Sequence, residues 1–129
     1  MIKWRSITMS WATALVVVAA LAQESKAAGP WYYTIGQQKN NQQANFCPKK
    51  TTVIELARIF ETEGPRPGYA ALDRKCSTSI ESFTPEKIIR QVTISTAGRN
   101  RYTVSFVRVQ TIRGNTQYLV TTRDVLDKN

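Results

Sequence analysis

A chain of 129 residues with 18 Lys and Arg, 9 Asp and Glu and no His carries a formal charge of +9 at neutral pH. Without histidine there is no Ser-His or Cys-His nucleophile, no imidazole acid–base catalyst and no histidine-ligated zinc. The cationic surplus suits an acidic partner, yet no block of five like charges occurs, so the polyanion signal is weak.

The chain opens with MIKWRSITMSWATALVVVAALAQESKAAG. Lys3 and Arg5 precede an apolar run from Trp11 to Ala22, and small residues follow, which is the order of a secretory signal peptide. The run is shorter than the roughly 20 residues a membrane-spanning helix needs. We read residues 1–27 as a leader cut before Gln23 or Ala28, and the mature protein as periplasmic or secreted with no transmembrane anchor. Losing Lys3, Arg5, Lys26 and Glu24 lowers the charge from +9 to +7.

Residues 28–46 begin with Trp31, Tyr32 and Tyr33 and continue into QQKNNQQAN. The Gln/Asn stretch has no hydrophobic period and predicts a loop or flexible arm. The three aromatics have two readings: a short strand or lid whose rings complete the core, or an exposed contact patch.

Residues 47–129 read as a disulfide-stapled domain. Cys47 and Cys76 are the two cysteines of the chain, and an oxidising compartment pairs them. Closing a loop of about 30 residues is worth roughly 3.6 kcal/mol in the chain-entropy model. Inside that loop, Thr52 and Glu55 have capping-box spacing, and Val53, Leu56, Ala57, Ile59 and Phe60 recur at helical spacing. Gly64 and Pro65 supply a cap and a stop, so one amphipathic helix of about three turns is expected. The following GPRPGYAALDRK reads as a turn-rich crossing to Cys76. Thr84-Pro85-Glu86 then predicts a brief helical turn.

Three runs rich in Val, Ile, Thr, Tyr and Phe finish the chain: RQVTIST, RYTVSFVRVQTI and TQYLVTTRDVL. Turn residues divide them, and Gly114-Asn115 predicts a two-residue hairpin loop. That loop sets Val109 opposite Val120 and Thr111 opposite Tyr118. One face then carries Val107, Val109, Tyr118 and Val120, joined by Val92 and Ile94 if Arg99-Asn100 makes the first loop. The other carries Tyr102, Val104, Phe106, Arg108, Ile112, Leu119 and Arg123. One helix covers one face. The second requires the N-terminal aromatics, a bulge or a partner, and we expect Trp31 to pack there with Phe106 buried.

The fold expected is therefore α+β: one amphipathic helix, a disulfide-closed loop and a three-stranded antiparallel meander in one small domain. No P-loop, calcium loop or dinucleotide fingerprint occurs, no cofactor or metal is expected, and no adjacent carboxylates converge. Glu61 and Glu63, two apart on the helix, point in different directions. These features point to an exported, non-enzymatic binding protein: an inhibitor, adaptor or accessory subunit of an envelope or secretion assembly. Its partner is expected to be another protein in the envelope or outside the cell. Trp31, Tyr32, Tyr33, Arg99, Arg101 and Tyr102 are the candidate contacts. The alternative is a basic secreted enzyme acting on a polyanion, such as a histidine-free ribonuclease. It would use Arg99, Arg101, Arg108, Arg113 and Arg123 with Tyr102 and Tyr118, since phosphate contact and base stacking need those residue types.

Overall fold

The structure is a computed structural model that describes residues 31–96 and 100–127, so the expected leader and Arg99 lie outside the described residues. Its elements run β1 (Tyr32–Thr34), β2 (Lys39–Cys47), α1 (Lys50–Glu63), α2 (Pro65–Lys75), β3 (Ser77–Thr96), β4 (Asn100–Thr111), β5 (Thr116–Thr121) and β6 (Asp124–Leu126). The α+β class holds, with four strands in the antiparallel sheet rather than three. Strands β2, β3, β4 and β5 close on themselves as a small barrel, and β1 pairs in parallel with β6.

The extra barrel strand is the Gln/Asn-rich segment. Composition made it a loop; its position between two partners makes it a strand. It pairs with β3 from Lys39 to Phe46, and with β5 from Asn45 to Cys47. A register shift between Lys39 and Gln42 accommodates Asn41, whose φ of 53° an Asn tolerates better than most residues.

The helix begins earlier than the capping box. Lys49 is the N-cap and no side chain caps it, so Thr52 and Glu55 lie within the helix. Gly64 does close α1, at φ 96°, but Pro65 starts a second helix instead of ending the first. Prolines fit a first turn because the N–H groups they lack have no partner there. The two helices cross at Gly68, where a Cβ would sit 2.5 Å from the Phe60 ring. The absent side chain permits that close approach.

Strand β3 corrects another expectation: Thr84-Pro85-Glu86 is strand, not helix. Pro85 sits beside a register shift, where a residue that cannot donate is tolerated, and its carbonyl accepts from the Gly36 N–H at 2.8 Å.

The hairpin registers differ from those expected. The β4–β5 loop holds Ile112, Arg113, Gly114 and Asn115, with Gly114 N–H donating to the Thr111 carbonyl at 2.9 Å and Gly114 at φ 90°. Val109 therefore faces Gln117 rather than Val120, Arg108 faces Tyr118 and Phe106 faces Val120. An offset of three positions is odd, so it exchanges the faces of one strand relative to its neighbour. The first hairpin pairs Thr96 with Asn100, leaving Asn100 in β4 rather than in the turn.

The buried side chains fall into two clusters on opposite faces. Val53, Leu56, Phe60 and Leu72 of the helices meet Val92, Ile94, Val104, Phe106 and Val120 of the sheet. The second cluster lies on the barrel side and joins Tyr33, Phe46, Phe83, Val107, Val109 and Leu119. Phe106 is buried as expected, but beneath the helices. The N-terminal aromatics close the other face, and Tyr33 does so rather than Trp31.

The Cys47–Cys76 disulfide forms, with Cα atoms 4.5 Å apart, and ties the end of β2 to the residue after α2. Such a bond suits an extracellular or periplasmic protein. Among the described residues, no helix is long and apolar enough to cross a membrane.

Candidate functional site: a cleft at the open seam of the barrel

The β2–β5 ladder stops at the Asn45–Val120 pair. Beyond it, β2 follows β3 back towards Lys39, while the other chain leaves β5 to reach β6. Their divergence opens a cleft of about 310 Å³. Leu72 and Tyr69 of α2 with Val104 and Val120 of the sheet form its apolar lining, and Gln43, Asn45, Thr121 and Thr122 line it with polar groups.

Trp31, Tyr33 and Arg123 complete the lining. Trp31 and Tyr33 are two residues apart in extended chain, so they share a side, and Tyr32 faces the other. The Arg123 guanidinium carbon lies 4.0 Å from the Trp31 ring centre and 5.1 Å from that of Tyr33. Both are cation–π distances. Arg123 Nη1 also donates to Gln42 Oε1 at 2.9 Å, across the gap between the strands. Its backbone N–H donates to Thr121 Oγ1 at 3.0 Å. The guanidinium is held by rings and an amide; none of the three ion pairs among the described residues includes it.

The local electrostatics follow. Burial pushes the Tyr33 phenol above its ordinary value, and the Arg123 charge offsets part of that rise. Burial lowers the Lys39 ammonium, and the like charge of Arg123 lowers it further. Two cations thus share this end of β2. Behind the apolar lining, the Tyr69 and Tyr102 hydroxyls share a hydrogen bond at 3.2 Å.

The candidates from the sequence divide accordingly. Trp31 is 75% exposed, against the expectation that it packs, and Tyr32 is 37% exposed. Tyr33 is buried and its ring packs at a tilt against Phe83, centroids 5.5 Å apart, so it is lid rather than contact. Arg101 is exposed at the start of β4 and pairs with Ser95. Tyr102 is half-buried against the helix-side core. Of the polyanion set, Arg108 is paired with Glu86 and Arg113 with Glu81. Among the described residues, no group of three or more His, Cys, Asp or Glu could hold a metal ion.

Sequence reasoning missed Arg123, Gln42 and Tyr69 as members of one site. The sequence places Arg123 on a sheet face and in the polyanion set, and no local pattern links it to Trp31. No family model matches the chain, and neither does any curated protein or solved structure. What the geometry defines is a disulfide-stapled α+β domain in which Arg123 lies against the Trp31 and Tyr33 rings at the mouth of a cleft.

Proposed function

We propose that the chain is an exported, non-enzymatic binding protein, an inhibitor, adaptor or accessory subunit, that meets a protein partner at the Trp31–Arg123 rim. The observation that carries this reading is Trp31, three-quarters exposed yet aligned by a guanidinium 4.0 Å from its ring. Trp and Arg dominate interface hot spots, and a side chain already ordered costs less to immobilise on binding. Arg101 with Tyr102 supplies a second, separate candidate contact, and Tyr32, on the opposite side of its strand from Trp31, a third. The disulfide supports an oxidising compartment, and residues 1–27 supply the export signal in this reading. The polyanion-acting alternative has less support, since Glu86 and Glu81 already engage two of its arginines.

Co-purification from the source cell's envelope tests the reading. Wild-type oxidised protein should retain a partner, Trp31→Ala should lose it while unfolding within about 0.5 kcal/mol of wild type, and Ile112→Ala should behave as wild type. A partner retained by Trp31→Ala, or cleavage of RNA by the purified protein, overturns it.

A further inference from the structure

Resting on that reading, we infer that the seam cleft recognises an acidic peptide segment, seating an apolar side chain against Leu72, Val104 and Val120 while Arg123 takes the neighbouring carboxylate. Its volume of about 310 Å³ lies at the small end of ligand clefts, which run from about 300 to 1,000 Å³. That is room for a side chain and a stretch of backbone, not for a large cofactor.

The guanidinium is the specific element. Arg carries five N–H donors in a planar fork, and the described contacts of its side chain are one hydrogen bond to Gln42 and two cation–π contacts. These contacts hold the guanidinium at the cleft and leave it further N–H donors to offer. A carboxylate matches the fork with two parallel hydrogen bonds. An anion seated there also relieves the repulsion between Arg123 and Lys39. The polar lining suits a peptide's amides: Gln43, Asn45, Thr121 and Thr122 offer both donors and acceptors. A phosphate polymer would gain nothing from the apolar floor, so a peptide fits the whole cleft better than a nucleic acid does.

Calorimetric titration of the full oxidised chain with three short probes tests this. They are acetyl-Ala-Glu-Leu-amide, its Gln counterpart, and acetyl-Ala-Ala-Leu with a free terminal carboxylate. The Glu probe should bind about tenfold more tightly than the Gln probe, the margin of one good charge-assisted pair. The free-carboxylate probe shows whether a chain terminus serves as well as a Glu side chain. Arg123→Gln should erase the Glu-over-Gln preference, and Arg123→Lys should restore part of it. Equal affinity for the Glu and Gln probes in wild type, or no binding by any probe, overturns the inference whatever the variants do. A partner that co-purifies with Arg123→Gln but not with Trp31→Ala also overturns it, and leaves the binding-protein reading standing.

Discussion

On the helix side of the sheet, Phe60 of α1 meets Tyr69 of α2 at 4.9 Å and Phe106 of β4 at 6.0 Å, edge to face. On the barrel side, Phe83 meets Phe46 and Tyr33, each at 5.5 Å. The rings are alike; their connectivity is not. The helix-side cover consists of two consecutive helices, and the Cys47–Cys76 bond pins both ends of that hairpin to one point. The barrel-side cover is drawn from the two ends of the described chain, where β1 meets β6 with Tyr33 opposite Val125. Long-range closure costs more chain entropy than local packing, and no covalent link offsets it on the barrel side. One core is stapled and the other is latched. The cleft lies where they meet, lined by Tyr33 from the latch and Leu72 from the stapled hairpin.

The largest expected effect comes from the two phenylalanines that centre these cores. Phe83→Ala and Phe106→Ala should each lower stability by about 3–5 kcal/mol, measured by denaturant unfolding. Amide exchange should distinguish them. Phe83→Ala should expose Tyr33 and Thr34 early by releasing the latch, whereas Phe106→Ala should expose α1 and α2 first. Identical exchange patterns would show that the two cores open as one unit.

Replacing Cys47 and Cys76 together by Ser should cost about 2–5 kcal/mol, bracketing the chain-entropy value for this loop. If the comparison is right, protection should fall first in the helical hairpin while Phe83 and Val109 keep theirs. A loss spread evenly over the barrel would mean that the staple supports both cores.

Gly68→Ala should follow, at about 1–3 kcal/mol, because the new methyl meets the Phe60 ring and the helices must separate. Thermal unfolding reads that loss, and an unchanged midpoint would show that α1 and α2 slide apart freely.

The smallest effect is alkaline. Burial raises the Tyr33 phenol; burial and then the Tyr102 hydrogen bond raise that of Tyr69, both from an ordinary 10.0. Both groups hold their protons more tightly folded than unfolded. Their contribution to stability is therefore complete below pH 10.0 and is lost as pH rises through the higher folded values. Ultraviolet titration of the phenols should show Tyr33 and Tyr69, one from each side of the sheet, ionising late. Tyr33→Phe should remove one and leave the other.

Much of the stapled side was legible beforehand. Val53, Leu56, Ala57, Ile59 and Phe60 show their period without help, and all five are buried. The disulfide followed from having two cysteines. The second helix was not legible, because GPRPG carries every sign of a turn. What makes it helical is that both prolines fall in a first turn and Gly68 lets it nest on Phe60. On the latched side almost nothing was legible. KNNQQANFC has no strand composition, and it becomes β2 because β3 and β5 each present an edge to it.

The candidate site shows the same division. Trp31 could be singled out as an aromatic worth explaining, but the choice between lid and contact could not be made within WYY. The structure splits the triplet, sending Tyr33 inward and leaving Trp31 outside on the same side of the strand. Arg123, at the opposite end of the described chain, meets both rings because β1 pairs with β6.

From the sequence alone came the α+β class, the first helix, the cysteine pair and the absence of histidine chemistry. Each rests on composition or on a period that neighbouring residues display by themselves. The tertiary structure alone decided the strand registers, the closure of the barrel, the two-sided core and the seam cleft. A two-residue loop and the observed one, in which the Thr111 N–H donates to the Asn115 carbonyl, are both compatible with TIRGNT, yet their registers differ by an odd number and put opposite faces of a strand inward. Only the simultaneous fit of Phe106 beneath the helices and Val107 inside the barrel selects between them.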